Sequence, residues 1–565
     1  MFDVCVIGSG AGAGPVIYEL SKAGYKVIVL EKGPWFKTED FTKDEMTVTR
    51  RDVYEASPKD EPHVVEKPSS SGFNKYNSAN GGTSFQNGSC VGGSSNFMSA
   101  YFHRLKPKDF NLLTEYGPIK GANIVDWPVK YDEFEPYYTK VEQIVGVSGK
   151  VVEHKHLEPR STPDFPFPPL VNNGVAEWYI KAGEELGYKV IPVARGIVSQ
   201  PFNNRKACYH SNYCGSFGCS SDGKSSSRAA LIPDAIASGN CEIITNAKVF
   251  KLETDENDQI VKAHYYNETG VAMQVEAKMF VVACQAIESS RLLLMSKSDR
   301  FPNGLANNSG QVGKNMIFAG GGGGSGYIRY EDLSEEKAKT LRNKNTFINH
   351  GLTDFYEIDD PEFELVKESK SGKIKGGNID FLLEHSAPFP KVYRHRTQNG
   401  NPLIGSKLKE NIHDYFVNQR RLRFEIFCDW LPNDDCFVEL DEKVTDKWGD
   451  PAAKVRTGFV NHDLEIGNYL ADRAIEVLEK VGCKNITKSI TGNPPTNLIA
   501  GGCRFGNDPK TSVLDKNCKA HEVKNLYVTD GSFMPTGGSA PHTFMIYANS
   551  FRVADKIKEH MKKLS

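Results

Sequence analysis

Two groups of residues in this chain have the types and spacing that chemistry requires. The first is the turn Gly8-Ser9-Gly10-Ala11-Gly12-Ala13, which follows the apolar run Phe2-Asp3-Val4-Cys5-Val6-Ile7 and leads into a stretch of helical periodicity. In a G-x-G-x-x-G/A turn so placed, Gly8 and Gly10 let the chain fold back tightly and bring backbone N–H groups up to a pyrophosphate, with Ala13 at the third position. The phosphates then lie at the positive end of the helix dipole. Glu31 ends the next apolar strand, about 20 residues on, where a carboxylate accepts both hydroxyls of an adenosine ribose. The second group is Cys208, Cys214 and Cys219, spaced C-x5-C-x4-C in a loop with glycines. Three thiolates so spaced can ligate an iron–sulfur cluster, bind zinc with His210 as a fourth ligand, or stay free of metal. Most of the other nine cysteines sit in apolar strands, where a reduced, buried thiol is the plain expectation.

The elements that must position these groups are legible in outline. A strand at 3–7, a helix over about 14–23 with Leu20 and Ala23 inward, and a strand at 26–30 make a βαβ unit whose strands lack polar alternation, as a sheet covered on both faces requires. The polar stretch from about 33 to 80 reads as a surface excursion, and a glycine-rich return follows at 81–96. MFVVACQA at 279–286 is a further strand leading into a helix at 287–297. RLRFEIFCDWL and DCFVELDEKV alternate like an antiparallel sheet, with a helix at 463–481. Gly320 to Gly324, followed by no phosphate-loop lysine, reads as a flexible loop.

At 565 residues the chain is long enough for two or more domains. With 69 basic and 71 acidic residues it offers no footprint for nucleic acid and no polybasic membrane handle, so the partner is a small molecule. No apolar run reaches the roughly 18 residues of a membrane span. The N-terminus opens on a strand pattern without a charged n-region, so we expect no export signal in this chain.

Gly88-Ser89-Cys90-Val91-Gly92-Gly93-Ser94-Ser95 resembles the second signature of the glucose-methanol-choline (GMC) oxidoreductases. Asn525-Leu526-Tyr527-Val528-Thr529-Asp530-Gly531-Ser532 is similar to that family's last FAD-binding segment, and WPVKYDEFEPYY, QVGKNMIF, ACQAIESSRLLL and LPNDDCFVELDEKVTDKWG resemble its other landmarks. The resemblance implies an α/β fold: a discontinuous Rossmann-like FAD-binding domain over 1–35, 80–125, 205–310 and 495–565, and an α+β substrate domain on an antiparallel sheet over 126–204 and 311–494. It implies non-covalent FAD with its isoalloxazine between the two. Ser94 and Asn96 would lie against the ribityl and flavin, Val249 against the adenine, Asp530 and Gly531 against the ribityl phosphate, with Gly93 and Thr543 also in the cofactor set. Met98 stands where the family usually has asparagine.

The reaction implied is alcohol oxidation, in which a base takes the hydroxyl proton while hydride passes to flavin N5. Where the family places its catalytic histidine this chain has Leu498, with Asn497 beside it, and the later Asn-Pro-Thr becomes Pro541-His542-Thr543. His542 is the one imidazole near either position, and a helix start disfavours its charged form, so it is the expected base, titrating near neutrality. It could instead only pack on the flavin edge. The cysteine loop is similar to that of gluconate 2-dehydrogenase-type large subunits, which implies a [3Fe-4S] cluster. It implies also a small subunit, a cytochrome c or quinone acceptor, and a place on the cytoplasmic or periplasmic face of the inner membrane through exported partners. The substrate would be a sugar, sugar acid or polyol. Long-chain alcohol oxidases with a similar F-G-C segment leave open an oxidase using dioxygen without a cluster, and Leu498 leaves open a flavin protein that has lost catalysis.

Overall fold

The computed structural model describes residues 1–45, 54–398 and 400–564. Strand β1 (Phe2–Ile7), helix α1 (Gly14–Lys22) and strand β2 (Val27–Leu30) form the first βαβ unit. Val4, Cys5 and Val6 of β1 and Val27, Ile28 and Val29 of β2 are fully buried, which is why their sequence shows no polar alternation. Helix α1 stops at Lys22, one residue short of the expected end. Ala23 is an exposed cap rather than an inward residue, because Gly24 turns the chain into the left-handed region.

Strand β3 (Ala272–Val282) lies on the other side of β1. The parallel order is Cys241–Ile244, β2, β1, the second half of β3, then Leu526–Val528. The first half of β3 pairs antiparallel with Ile260–Tyr266, which pairs with Lys248–Thr254. The C-terminal helix Thr543–Leu564 packs beside α1 and shares one core with the sheet through Phe544, Tyr547, Ala548 and Phe551. Helix Tyr131–Val141 joins that core, Tyr138 meeting the Phe544 ring edge-on at 4.9 Å.

A second, antiparallel sheet is built around β4 (Lys314–Arg329) and β5 (Gln419–Asp429), in the order Lys484–Ser489, β4, β5, Asn378–Leu383, His350–Leu352, Val190–Pro192. Its outer face is closed by helix Asn461–Val481, whose Leu470, Ala474 and Val477 pack on Leu422, Phe424 and Ile426 of β5. The polar stretch after residue 33 is only partly a surface excursion. His63–Ser69 and Gly72–Asn77 form a hairpin, and its first strand, with Val64 and Val65 buried, adds to Pro451–Thr457 and Cys436–Thr445.

The run Gly320 to Gly324 is not a loop but the middle of β4, paired residue for residue with Cys428 to Phe424. Composition suggested flexibility, whereas the requirement is space. A Cβ at Gly321 would press on the Ile426 carbonyl, and one at Gly324 would enter the Phe424 ring. Gly321→Ala should therefore lower stability by more than about 1 kcal/mol. It should lose more than Gly239→Ala, where φ is also positive (+76°) but nothing lies within 4 Å. Equal losses in urea unfolding would show that φ alone, and not the close approach of strands, selects glycine in β4.

Candidate active site

A cavity of about 870 Å³ opens at the carboxyl ends of the parallel strands and runs to the inner face of the second sheet. That is where an open α/β sheet places its ligand. Gly8, Gly10, Glu31, Gly93, Ser94, Val249, Asp530, Gly531, His542, Thr543 and Cys214 all line it, so residues spread over the whole chain meet around one space.

Three backbone segments make the nucleotide end. The Gly8 N–H donates to the Leu30 carbonyl at 2.9 Å. A Cβ on Gly12 would lie 2.6 Å from Asp530 Cα, and one on Gly93 3.1 Å from Gly10 Cα, so these chains touch main chain to main chain. Glu31 is buried, and burial raises its pKa against two opposing bonds: Ser9 Oγ donates to Oε2 at 2.6 Å and the Gly33 N–H to Oε1 at 3.0 Å. Each oxygen keeps a lone pair for a ribose hydroxyl. Asp530 is likewise raised by burial, while Ser289 Oγ and the Ser532 N–H donate to it. Ser94 faces the cavity, its Oγ accepting from the Gly88 N–H at 2.8 Å.

Two residues expected at the cofactor do not line the cavity. Ala13 is buried in the core at the start of α1. Asn96 turns its amide inward, donating to the carbonyls of Val91 at 2.9 Å and Gly93 at 3.0 Å. It braces the glycine turn that presents Ser94, a use of the side chain that spacing cannot distinguish from ligand contact. These residues fit FAD: a glycine cradle for a pyrophosphate, a buried carboxylate for a ribose, and a long cavity leading away from both.

His542 is 1% exposed, and neither ring nitrogen has a hydrogen-bond partner among the described residues. Burial pushes the imidazole down to about 4, with the Asp429 carboxylate opposing. The expectation of titration near neutrality is thus corrected, because desolvation outweighs the nearby charge. Gly537 separates the two groups: its Cβ position would be 3.2 Å from His542 Nε2 and 3.3 Å from Asp429 Oδ1. The loop before His542 is clasped at Ser539, whose Oγ receives Lys375 Nζ at 3.0 Å and whose carbonyl receives Asn378 Nδ2 at 2.8 Å. Lys375 in turn pairs with Asp109 at 2.7 Å. None of this was legible, because the partners are more than a hundred residues apart. Leu498 lines the cavity with Asn497 and is held in left-handed backbone (φ 57°), its carbonyl accepting from the Ala319 N–H at 3.0 Å.

In the cysteine loop, Cys214 lines the cavity, whereas Cys208 and Cys219 do not. Burial pushes the Cys208 thiol up to about 11, helped by Cys214 and Cys219, while the His210 N–H bonded to it acts the other way. The Lys224 N–H reaches Cys219 Sγ at 3.4 Å. The Lys224 ammonium, buried, pins the loop through the carbonyls of Asn96, Gly215 and Phe217. Among the described residues no three His, Cys, Asp or Glu side chains are grouped to hold a metal ion. The His210 ring packs edge-on to Phe347 at 5.6 Å. No helix among the described residues is long and apolar enough to cross a membrane.

Glu31→Ala removes the carboxylate expected at a ribose and leaves Ser9 Oγ and the Gly33 N–H without their partner. FAD should bind about ten- to a hundredfold more weakly, the usual weight of a charge-assisted hydrogen bond. The flavin-to-protein absorbance ratio after gel filtration measures this, and a full complement of FAD in the variant would detach Glu31 from the ribose.

The comparisons with known proteins agree with this geometry. Models of the GMC oxidoreductase family match residues 166–318 and 432–550. The chain is 28% identical to 2-methyl-1,2-propanediol dehydrogenase of Mycolicibacterium austroafricanum, over 100% of this chain and 96% of that one. It is 27% identical to the fructose dehydrogenase large subunit of Gluconobacter japonicus, over 99% and 98%. A solved formate oxidase of Aspergillus oryzae shares the fold with a TM-score of 0.64 at 16% identity, covering 100% of this chain and 99% of that one. With family matches on both sides of the cavity and full-length relatives that act on alcohol groups, the chain belongs to the GMC oxidoreductases, FAD-dependent enzymes built on a Rossmann-like fold.

Proposed function

We propose that this chain oxidises an alcohol group of a sugar, sugar acid or polyol, with His542 as the base that takes the hydroxyl proton. The observation that carries the reading is a buried imidazole, its pKa lowered by burial, with neither nitrogen hydrogen-bonded to any described residue, in the wall of the cavity whose other end fits FAD. Bound FAD would supply the hydride acceptor. Gly8, Gly10 and the start of α1 would hold its pyrophosphate, Glu31 a ribose, and Ser94, Asp530, Gly531 and Thr543 the part toward the flavin. The imidazole has no competing partner to give up when a hydroxyl arrives, and the Asp429 charge near Nε2 would stabilise the ring once it is protonated. Segments 1–35, 80–125, 205–310 and 495–565 would form the FAD side and 126–204 with 311–494 the substrate side.

The exit for electrons is the finer part of the proposal. Cys208, Cys214 and Cys219 would hold a [3Fe-4S] cluster that passes electrons to a small subunit and a cytochrome c or quinone, with export through those partners. Support comes from three cysteines on one loop, from N–H groups bonded to two of the sulfurs, and from likeness to a dehydrogenase large subunit. The dioxygen-using oxidase is the second reading, favoured by the lack of a metal-holding group among the described residues.

Stopped-flow reduction of the flavin separates these claims. His542→Ala should slow reduction by about 10²–10⁴ while retaining FAD. Because the imidazole's pKa is lowered, its base form is complete at neutral pH. The wild-type rate should rise with pH through about 4 and be flat from pH 6 to 8. A near wild-type rate in the variant would leave this chain without His542 as its base. Cys214→Ser should abolish iron and acid-labile sulfide and slow reduction of an external cytochrome or quinone analogue, with flavin reduction by substrate intact. Wild-type protein prepared anaerobically without iron would favour the oxidase.

A further inference from the structure

The far end of the cavity, on the second sheet, carries charges that the proposed chemistry does not use. Along β5, Leu422, Phe424 and Ile426 pack into the core under helix Asn461–Val481, while Arg421, Arg423, Glu425 and Phe427 alternate with them on the cavity face. The residues of β4 paired with Arg423, Glu425 and Phe427 are Ser325, Gly323 and Gly321. Little or no side chain stands beside these three, and the cavity extends over β4 as a trough.

The opposite wall of the trough is helix Pro388–Arg394, with Lys391 and Arg394 on the cavity. The carboxylates at hand do not balance these cations one for one. Glu384 is shared between Arg394 Nη1 at 2.6 Å and Arg421 Nη1 at 2.7 Å, and it also accepts from Tyr415. Arg423 has Glu425 at 3.5 Å. The Lys391 ammonium makes no hydrogen bond or ion pair with any described residue, although the Lys391 carbonyl accepts from the His395 N–H. Burial holds its ammonium below the usual lysine range. Arg420 and Arg394 push the same way, against Glu384 and Glu45. A half-buried ammonium on a cavity wall, with arginines as well as carboxylates around it and no bonded counter-ion among the described residues, is relieved by an anion from outside the chain.

The distance from this patch to the base limits what that anion belongs to. Asp429, beside His542, is six residues from Arg423 on the same strand, roughly 20 Å between Cα atoms at the rise of an extended chain. An arginine arm shortens that span but does not close it. A single sugar acid cannot reach from one to the other.

We propose that Lys391, Arg394, Arg421 and Arg423 form a carboxylate-binding subsite for the distal end of the substrate, which is an acidic alcohol of disaccharide or glycoside size. This rests on the proposed alcohol oxidation, which it deepens by naming the substrate class. Glycine in β4 leaves room for the connecting sugar, and the carboxylate supplies a counter-charge to Lys391 and to Arg394 and Arg421, which share Glu384.

Cellobionate, cellobiose and gluconate test charge and length separately. With the holoenzyme in anaerobic stopped flow, cellobionate should reduce the flavin at an apparent Kd about tenfold or more below those of cellobiose and gluconate. High salt should erode the advantage. Lys391→Gln and Arg423→Gln should each bring cellobionate toward the level of cellobiose. Calorimetric binding of cellobionate to His542→Ala holoenzyme reads the subsite without turnover. If none of the three sugars reduces the flavin but cellobionate binds, and Arg423→Gln abolishes that binding, the subsite stands and the oxidation reading is in trouble. If cellobionate and cellobiose behave alike in wild type and variants, or cellobionate does not bind, the subsite is overturned. If gluconate matches cellobionate, the size argument falls.

Discussion

The architecture depends on a contact in which no side chain takes part. Gly12 lies against the main chain of Thr529 and Asp530, closer than any Cβ would permit. The same turn is tied at its carbonyls, Ser9 O accepting from Ser227 Oγ at 2.9 Å and Gly12 O from Ser550 Oγ at 2.6 Å. The first dozen residues are thereby locked to segments that follow hundreds of residues later. From that node the site follows. Asp530 is brought over the glycine turn, the C-terminal helix is laid beside α1, and its first residues, with His542 before them, are carried to the cavity. A methyl group at Gly12 would separate the cradle from the segment that carries Asp530 and Gly531.

The sequence was most informative where the chemistry is local. The glycine turn, Glu31 and the strand before Asp530 could be read because each is a short pattern whose neighbours in sequence are its neighbours in space. It was least informative where a side chain had two possible uses. Asn96 has the type and position of a cofactor ligand, yet its amide bonds are spent on Val91 and Gly93. Gly320 to Gly324 has the composition of a loop, and only the strands on either side show that close approach excludes every other residue. The cysteine spacing puts three sulfurs in one loop, yet among the described residues they form no group that could hold a metal ion.

The imidazole and the leucine at the two positions where a histidine could act illustrate how burial decides chemistry. Leu498 adds an aliphatic wall in a backbone conformation that leucine adopts at a cost, so the surrounding strands must impose it. His542 stands at the other position without hydrogen bonds, and a polar ring left unpaired in a buried site is itself a cost of folding. Ser539, Lys375, Asn378 and Asp429 supply the framework that keeps it there. An unpaired buried group so heavily braced is what a binding site presents before its ligand arrives. The same holds at the far end of the cavity, where the charge of Lys391 lacks a bonded partner among the described residues. On the proposed reading, one end of the trough takes a hydroxyl and the other an anion. The glycine strand between them keeps the path clear.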